Sequence, residues 1–203
     1  MDILKLIGRT APLFDDDISS RRKELESLVS NSRFLVIGGA GSIGQAVTCE
    51  IFKKNPLALH VVDISENNMV ELIRDIRSTL GYIDGDFRTF AIDCGSNEYR
   101  ALMNSNNKYD YVLNLSAIKH VRSEKNVYCI SRMVDTNILF IDEFLTLYGD
   151  KIKRFFSVSS DKAVNPTNVM GTTKRIAEMI CQYTQKDSST KYSIVRFGNV
   201  LGS

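Results

Sequence analysis

The sequence predicts an α/β fold, a doubly wound parallel sheet of roughly six strands preceded by an N-terminal helical segment. Three observations carry that expectation. From Arg33 onward, short β-branched runs alternate with longer helical stretches, a spacing that calls for crossover connections and a sheet covered on both faces. The runs at 34–37 and 111–115 are continuously apolar, as strands buried on both sides must be. The first run passes directly into a glycine-rich turn and then a helical pattern.

Taken in order, residues 1–32 read as a separate segment. Asp15-Asp16-Asp17, followed by Ser19 and Ser20, supplies N-cap candidates and a negative first turn for a helix to about Val29. The segment has no chemical motif and is expected to pack on the main domain or on a partner subunit. Residues 33–203 then form one domain. Its strands are expected at 34–37, 59–62, 88–92, 111–115, 155–158 and 193–196. Its helices are expected near 43–53, 66–80, 96–104, 124–148 and 172–185. The long stretch 124–148 is apolar on several faces, which suits covering the sheet and also leaves room for subunit contact. Asn165-Pro166-Thr167-Asn168 is the clearest turn signal.

Composition narrows the function classes. The chain has 203 residues, 43% of them hydrophobic, enough to bury a sizeable core. Its 26 Lys and Arg against 24 Asp and Glu leave a net charge of +2, too little for a nucleic-acid footprint. No uncharged apolar run approaches the ~20 residues that span a bilayer, and Met1-Asp2-Ile3-Leu4-Lys5 is no signal-peptide core. Cys49, Cys94, Cys129 and Cys181 lie far apart without a Cys-x-x-Cys pair. Reduced thiols in a cytoplasmic protein, and no metal site, are the expectation.

The glycine-rich turn is Gly38-Gly39-Ala40-Gly41-Ser42-Ile43-Gly44. Small residues there let the backbone turn tightly and approach a pyrophosphate, which the N–H groups of the following helix can bind. Strand before and helix after is the context that gives the motif meaning, and it marks a Rossmann-type dinucleotide fold. A glycine turn with no ligand is the plain alternative. Asp63 ends the second strand 19 positions after Gly44. A carboxylate there accepts hydrogen bonds from ribose hydroxyls and repels a 2′-phosphate, so NAD is favoured over NADP. Asp63 can also be a simple turn residue. Asp93-Cys94, ending the third strand, is placed to reach the adenine edge, and a turn role competes with it. Beyond the fourth strand, Leu115-Ser116-Ala117 and then Lys119 and His120 should line the nicotinamide and substrate side. Lys119 and His120 can equally be exposed loop charges.

After the fifth strand comes Ser157-Val158-Ser159-Ser160-Asp161-Lys162-Ala163, and then Met170-Gly171-Thr172-Thr173-Lys174. With residues 38–44, 114–121 and 196–203, this combination resembles extended short-chain dehydrogenase/reductases acting on nucleotide sugars. It is most similar to bacterial UDP-N-acetylglucosamine 4,6-dehydratases of polysaccharide and glycan biosynthesis. The resemblance runs from Arg33 to the C-terminus, and residues 158–174 are its most specific part, because Asp-Lys after the strand sets these dehydratases apart from most nucleotide-sugar epimerases. The usual family motif is Tyr-x-x-x-Lys, and here Met170 stands at the tyrosine position. Methionine has no exchangeable proton and can do no acid–base work. Long, membrane-anchored members of the same family share Met there, and Leu6-Ile7-Gly8-Arg9 looks like the segment leading into their soluble half. Met170 is therefore read as a subgroup feature, while an ordinary core methionine remains open.

The resemblance implies a reaction. NAD+ oxidises sugar carbon 4, the carbon-5 proton becomes acidic, hydroxide leaves carbon 6, and hydride returns to carbon 6. It implies Lys162 as base at carbon 5, Asp161 as acid at carbon 6, and Lys174 at the nicotinamide ribose. A lysine base needs burial or a neighbouring cation to lose its proton. Ser160, or a water beside it, would handle the carbon-4 hydroxyl proton. Asn199 would contact the UDP-sugar. The clusters Ser159-Ser160-Asp161 and Lys162 with Lys174 can also be loop caps and solvated lysines. The resemblance further implies a small C-terminal substrate domain beyond residue 203 and a homo-oligomer. A nucleotide-sugar epimerase, a dehydratase that also inverts carbon 5, and a non-catalytic NAD-binding module are the alternatives.

Overall fold

The computed structural model describes residues 3–6, 8–105, 108–119, 124–198 and 200. Three helices, α1 (Ile3–Leu6), α2 (Asp15–Ser20) and α3 (Arg22–Ser30), precede the sheet. The helix expected from Asp15 to Val29 is thus two helices, broken at Arg21. The hydroxyls of Ser19 and Ser20 turn back to the carbonyls of Asp16 and Asp17, at 3.0 and 2.9 Å. Such side-chain bonds compete with continued helix. Val29 is the buried residue of α3, while Leu25 and Leu28 remain exposed.

Six strands follow: β1 (Arg33–Ile37), β2 (Ala58–Asp63), β3 (Asp86–Ala91), β4 (Tyr111–Asn114), β5 (Arg154–Ser160) and β6 (Lys191–Phe197). They form one sheet in the order β3-β2-β1-β4-β5-β6. Every neighbouring pair is parallel. Strand order reverses between β1 and β4, so the crevice beyond their carboxyl ends is where such a sheet takes a ligand. All six strands lie where the apolar runs place them.

Side chains alternate across the sheet with the period of two that strands impose. Phe34 and Val36 of β1 join one apolar cluster, and Leu35 and Ile37 join the other. The first is completed by α4 (Ser42–Phe52) and α5 (Glu66–Thr79), through Ile51, Phe52, Met69, Leu72 and Ile76. On the opposite face α6 (Asn97–Asn104) brings Tyr99 and Met103. Further along the chain, α7 (Val127–Val134), α8 (Phe140–Tyr148) and α9 (Val169–Thr184) complete the helices. Phe144 of α8 stacks on Phe155 of β5 at 5.3 Å, both 1% exposed or less. Each side chain buried this way contributes about 1.5–3 kcal/mol relative to exposure.

The stretch expected as one helix at 124–148 is a composite. Asn126 caps α7, its Oδ1 accepting from Tyr128 N at 2.9 Å. Between α7 and α8 lies a π-helical turn, Asp135–Leu139. Such turns insert a residue into the helical register and re-aim the side chains they carry. Helix α9 starts three residues earlier than the apolar period suggests, because Asn168 caps it by accepting from Gly171 N at 2.7 Å.

Candidate active site

One cleft of about 650 Å³ opens beyond the carboxyl ends of β1, β2, β4 and β5. That size lies within the range of small-molecule sites. Its wall begins at the glycine turn, where Gly38, Gly41, Ser42, Ile43 and Gly44 all face the opening. Gly38 has φ +76°, and a Cβ there would stand 2.6 Å from Ser116 N. A Cβ on Gly44 would strike the Gly38 carbonyl. Helix α4 therefore sits close against the turn, and no side chain can replace these hydrogens. Gly41 is the N-cap of α4 and offers no capping side chain. The first N–H groups of the helix stay free for an anion.

Asp63 stands beside this turn. Its Oδ2 accepts from Ala40 N and its Oδ1 from Ser65 N, both at 2.9 Å. Two backbone donors thus fix the carboxylate, which lines the cleft with acceptor capacity to spare. The turn role and the ribose role expected of Asp63 are compatible. Asp93 and Cys94 lie on the same wall. Partial burial pushes the Asp93 carboxyl up, but the Gly95 N–H and the Arg132 guanidinium outweigh it and leave it below its ordinary value. Burial, with the Asp93 charge next to it, pushes the Cys94 thiol up to about 12, so it stays a neutral lining group.

The opposite wall holds Leu115, Ser116, Ala117, Ile118 and Lys119. Asn137, 1% exposed in the π turn, fastens this loop. Its Oδ1 accepts from Ile118 N and its Nδ2 donates to Ile118 O, both at 3.1 Å. The same Nδ2 donates to Thr173 Oγ1 of α9 at 3.0 Å. His120 and Asn199 lie outside the described residues.

Val158, Ser159, Ser160, Lys162, Met170 and Lys174 form the floor. Ser160 ends β5 and donates to Asp161 Oδ1 at 2.9 Å. It also accepts from Lys162 N at 3.3 Å, capping the 3-10 turn Asp161–Ala163. Lys162 Nζ is 3.2 Å from Asp161 Oδ1. Ser160 first, and Lys162 after it, hold the Asp161 carboxyl below its ordinary range. The burial or neighbouring cation expected around Lys162 is not found: the side chain is 43% exposed and its neighbour is a carboxylate. The reason is local, since the 3-10 turn Asp161–Ala163 leaves both side chains exposed: Lys162 lines the cleft, and Asp161, 56% exposed, does not.

Lys174 is 4% exposed and donates to Val158 O at 3.0 Å. Burial lowers its pKa to about 8, against the opposing charges of Cys181 and Glu178. Met170, 5% exposed, lines the cleft with no acid–base group, and its N–H donates to Glu124 Oε1 at 2.8 Å.

The sequence reading passed over Glu178, one turn beyond Lys174. Its carboxylate is 2% exposed. It accepts from Ser159 Oγ at 2.6 Å and from Arg196 Nε and Nη2 at 2.8 and 2.6 Å. Arg196 first, then Ser159 and Arg175, hold it below its ordinary value although burial pushes the other way. The i, i+4 spacing from Lys174 was the available signal, because it puts both on one helix face. Among the described residues no group of three His, Cys, Asp or Glu side chains could hold a metal ion. No described helix is long and apolar enough to cross a membrane.

A family model for polysaccharide biosynthesis proteins matches residues 34–203, from the first strand through the floor of the cleft. The chain belongs to that family, a branch of the extended short-chain dehydrogenase/reductases. Within the family, a probable polysaccharide biosynthesis protein, EpsC, of Bacillus subtilis is 34% identical over 98% of this chain and 32% of its own length. A UDP-N-acetylglucosamine 4,6-dehydratase (inverting) of Campylobacter jejuni is 26% identical over 87% of this chain and 51% of its own. A UDP-glucose 4-epimerase of Rickettsia typhi is 25% identical over 83% and 49%. The solved structure of Pen from Bacillus thuringiensis superposes with a TM-score of 0.74 at 30% identity, over 86% of this chain and 52% of that one. WbmF of Bordetella bronchiseptica, solved with NAD+, shares the fold at TM-score 0.66 and 20% identity, over 86% and 52%. The chain thus spans about a third to a half of the length of these relatives.

Proposed function

We propose that this chain carries the cofactor-binding and acid–base half of an NAD-dependent UDP-N-acetylglucosamine 4,6-dehydratase, with residues 33–203 as its cofactor domain. One observation supports the reading above others. A dinucleotide cradle and Ser160, Lys162 and Lys174 line a single cleft, with Asp161 hydrogen-bonded to Ser160 and Lys162 beside it and methionine where a hydroxyl acid would stand. The cradle suits the cofactor chemically. The free N–H groups of α4 match a pyrophosphate, and the anchored Asp63 carboxylate matches a ribose diol and opposes a 2′-phosphate. NAD is accordingly preferred to NADP.

Bound NAD+ would supply the hydride acceptor at sugar carbon 4 and the donor to carbon 6. Lys174 would hold the nicotinamide ribose and place positive charge beneath the reacting sugar. Ser160 would take the carbon-4 hydroxyl proton, passing it toward Asp161 along the hydrogen bond it already makes. Lys162 would remove the carbon-5 proton and return one to that carbon once hydride has reached carbon 6, and Asp161 would protonate the departing carbon-6 hydroxyl. A sugar filling the cleft would shut water away from Lys162, which lines it. Lys119, with His120 and Asn199, would meet the UDP-sugar.

The test is incubation of the protein, as expressed from its gene, with UDP-N-acetylglucosamine, followed by product mass and sugar stereochemistry. Loss of one water supports dehydration. Substrate recovered with only carbon 4 inverted would identify an epimerase instead. NAD retained with no turnover would identify a non-catalytic cofactor module. The configuration at carbon 5 of a dehydrated product tells whether that carbon is also inverted.

A further inference from the structure

We infer that Arg132 is a cofactor-specificity residue that closes the adenine end of the cleft by clamping Asp93. This rests on the reading of the cleft as an NAD site. The strand order β3-β2-β1 sets the geometry. The phosphate cradle follows β1 and the ribose carboxylate Asp63 ends β2, about one strand spacing (~4.8 Å) away. The next step along the same edge is the end of β3, where Asp93 stands, and the base of a dinucleotide must fall there.

Arg132 reaches that point from the other half of the molecule. It lies on α7, after β4, and its Nη2 is 2.8 Å from Asp93 Oδ2 across 39 residues of sequence. Thr136, four residues on, also lines the cleft, so this face of the helix fronts the opening. The helix cannot drift, because the π turn that follows it is fastened by Asn137 to Ile118 and Thr173.

The contacts define a reading of the base. Asp93 Oδ1 accepts from Gly95 N at 3.0 Å, and Oδ2 holds the guanidinium. The Cys94 thiol donates to the same carboxylate, which with its roughly four lone-pair sites still keeps one acceptor position open. That acceptor suits the 6-amino group of adenine and opposes a carbonyl oxygen in the same place. Arg132 and Gly95 N hold the two oxygens in place between them, so the acceptor offered to the amino group depends on Arg132. The side chain is about half exposed.

The experiment measures binding of NAD and of its hypoxanthine analogue, in which a carbonyl replaces the amino group, by titration calorimetry. It compares the protein stripped of nucleotide with Arg132→Ala and Arg132→Lys. The expected result is a loss of about tenfold in NAD affinity for Arg132→Ala, the scale of one charge-assisted hydrogen bond. The preference for NAD over the analogue should narrow with it, and Arg132→Lys should restore part of both. Equal loss for the two nucleotides, or no loss, would overturn the inference and leave the cofactor reading standing. Failure of the unsubstituted protein to bind either nucleotide would overturn both.

Discussion

Lys174 sits where the fold makes a charge costly, and this gives it a measurable signature. Its pKa falls from 10.5 to about 8 through burial. Between those values the unfolded chain holds a proton that the native chain has released, so stability rises with pH across that window. Compared with Lys174→Met, the natural protein should gain about 1.4 kcal/mol per pH unit between pH 8 and 10. Urea titrations of both proteins at the two pH values check this, and a constant difference would mean that Lys174 does not titrate there. At the mouth of the same cleft, Lys162 is open to solvent and paired with Asp161. Lys162→Ala should retain NAD yet stop exchange of the carbon-5 proton with deuterated solvent, and undiminished exchange would remove Lys162 from the base role. Ser160→Ala keeps the strand and removes the only hydroxyl that bonds Asp161 among the described contacts. Turnover should fall by about 10²–10⁴, the usual contribution of a positioned proton-transfer group, in steady-state rates at saturating substrate.

At the scale of elements, the strands were legible and the polar ties between helices were not. The runs of β1 and β2 are apolar and buried along nearly their whole length, which leaves them no other conformation, while the half-buried edge strands β3 and β6 were legible from their alternation with helices. The glycine turn and Asp63 were legible for a similar reason, since spacing along the chain fixes where they fall on the sheet. The break at Arg21 was not, because it depends on which way two serine hydroxyls turn. The π turn at Asp135–Leu139 was foreshadowed by polar residues inside an apolar stretch, but its reason is the contact of Asn137 with Ile118. Glu178, Arg132 and Glu124 share that trait, as each bonds a partner far away in sequence. Such pairs can be tested one at a time. Glu178→Gln leaves Arg196 and Arg175 without their buried carboxylate and should cost about 1–3 kcal/mol, the range for hydrogen bonds to a charged group. Thermal unfolding of the variant measures this, and an unchanged midpoint would show that the cluster does not hold α9 to β5 and β6.

The whole molecule is a sheet whose two halves do different work. Its first half, β1 to β3, presents the glycine turn, Asp63 and Asp93, and its second half brings Ser160, Lys162 and Lys174 to the same opening. A dinucleotide lying across the switch point bridges them, so saturation should stabilise the fold as a unit. At a hundredfold excess over its dissociation constant, NAD should add about 2.7 kcal/mol, visible as a raised denaturation midpoint that NADP does not match. The central claim is that one bound cofactor carries hydride from carbon 4 to carbon 6 of the same sugar while water leaves. UDP-N-acetylglucosamine deuterated at carbon 4 reports on this directly. The expected product is the dehydrated 4-keto sugar with deuterium at carbon 6, and deuterium returned to carbon 4 of an otherwise intact sugar would contradict it.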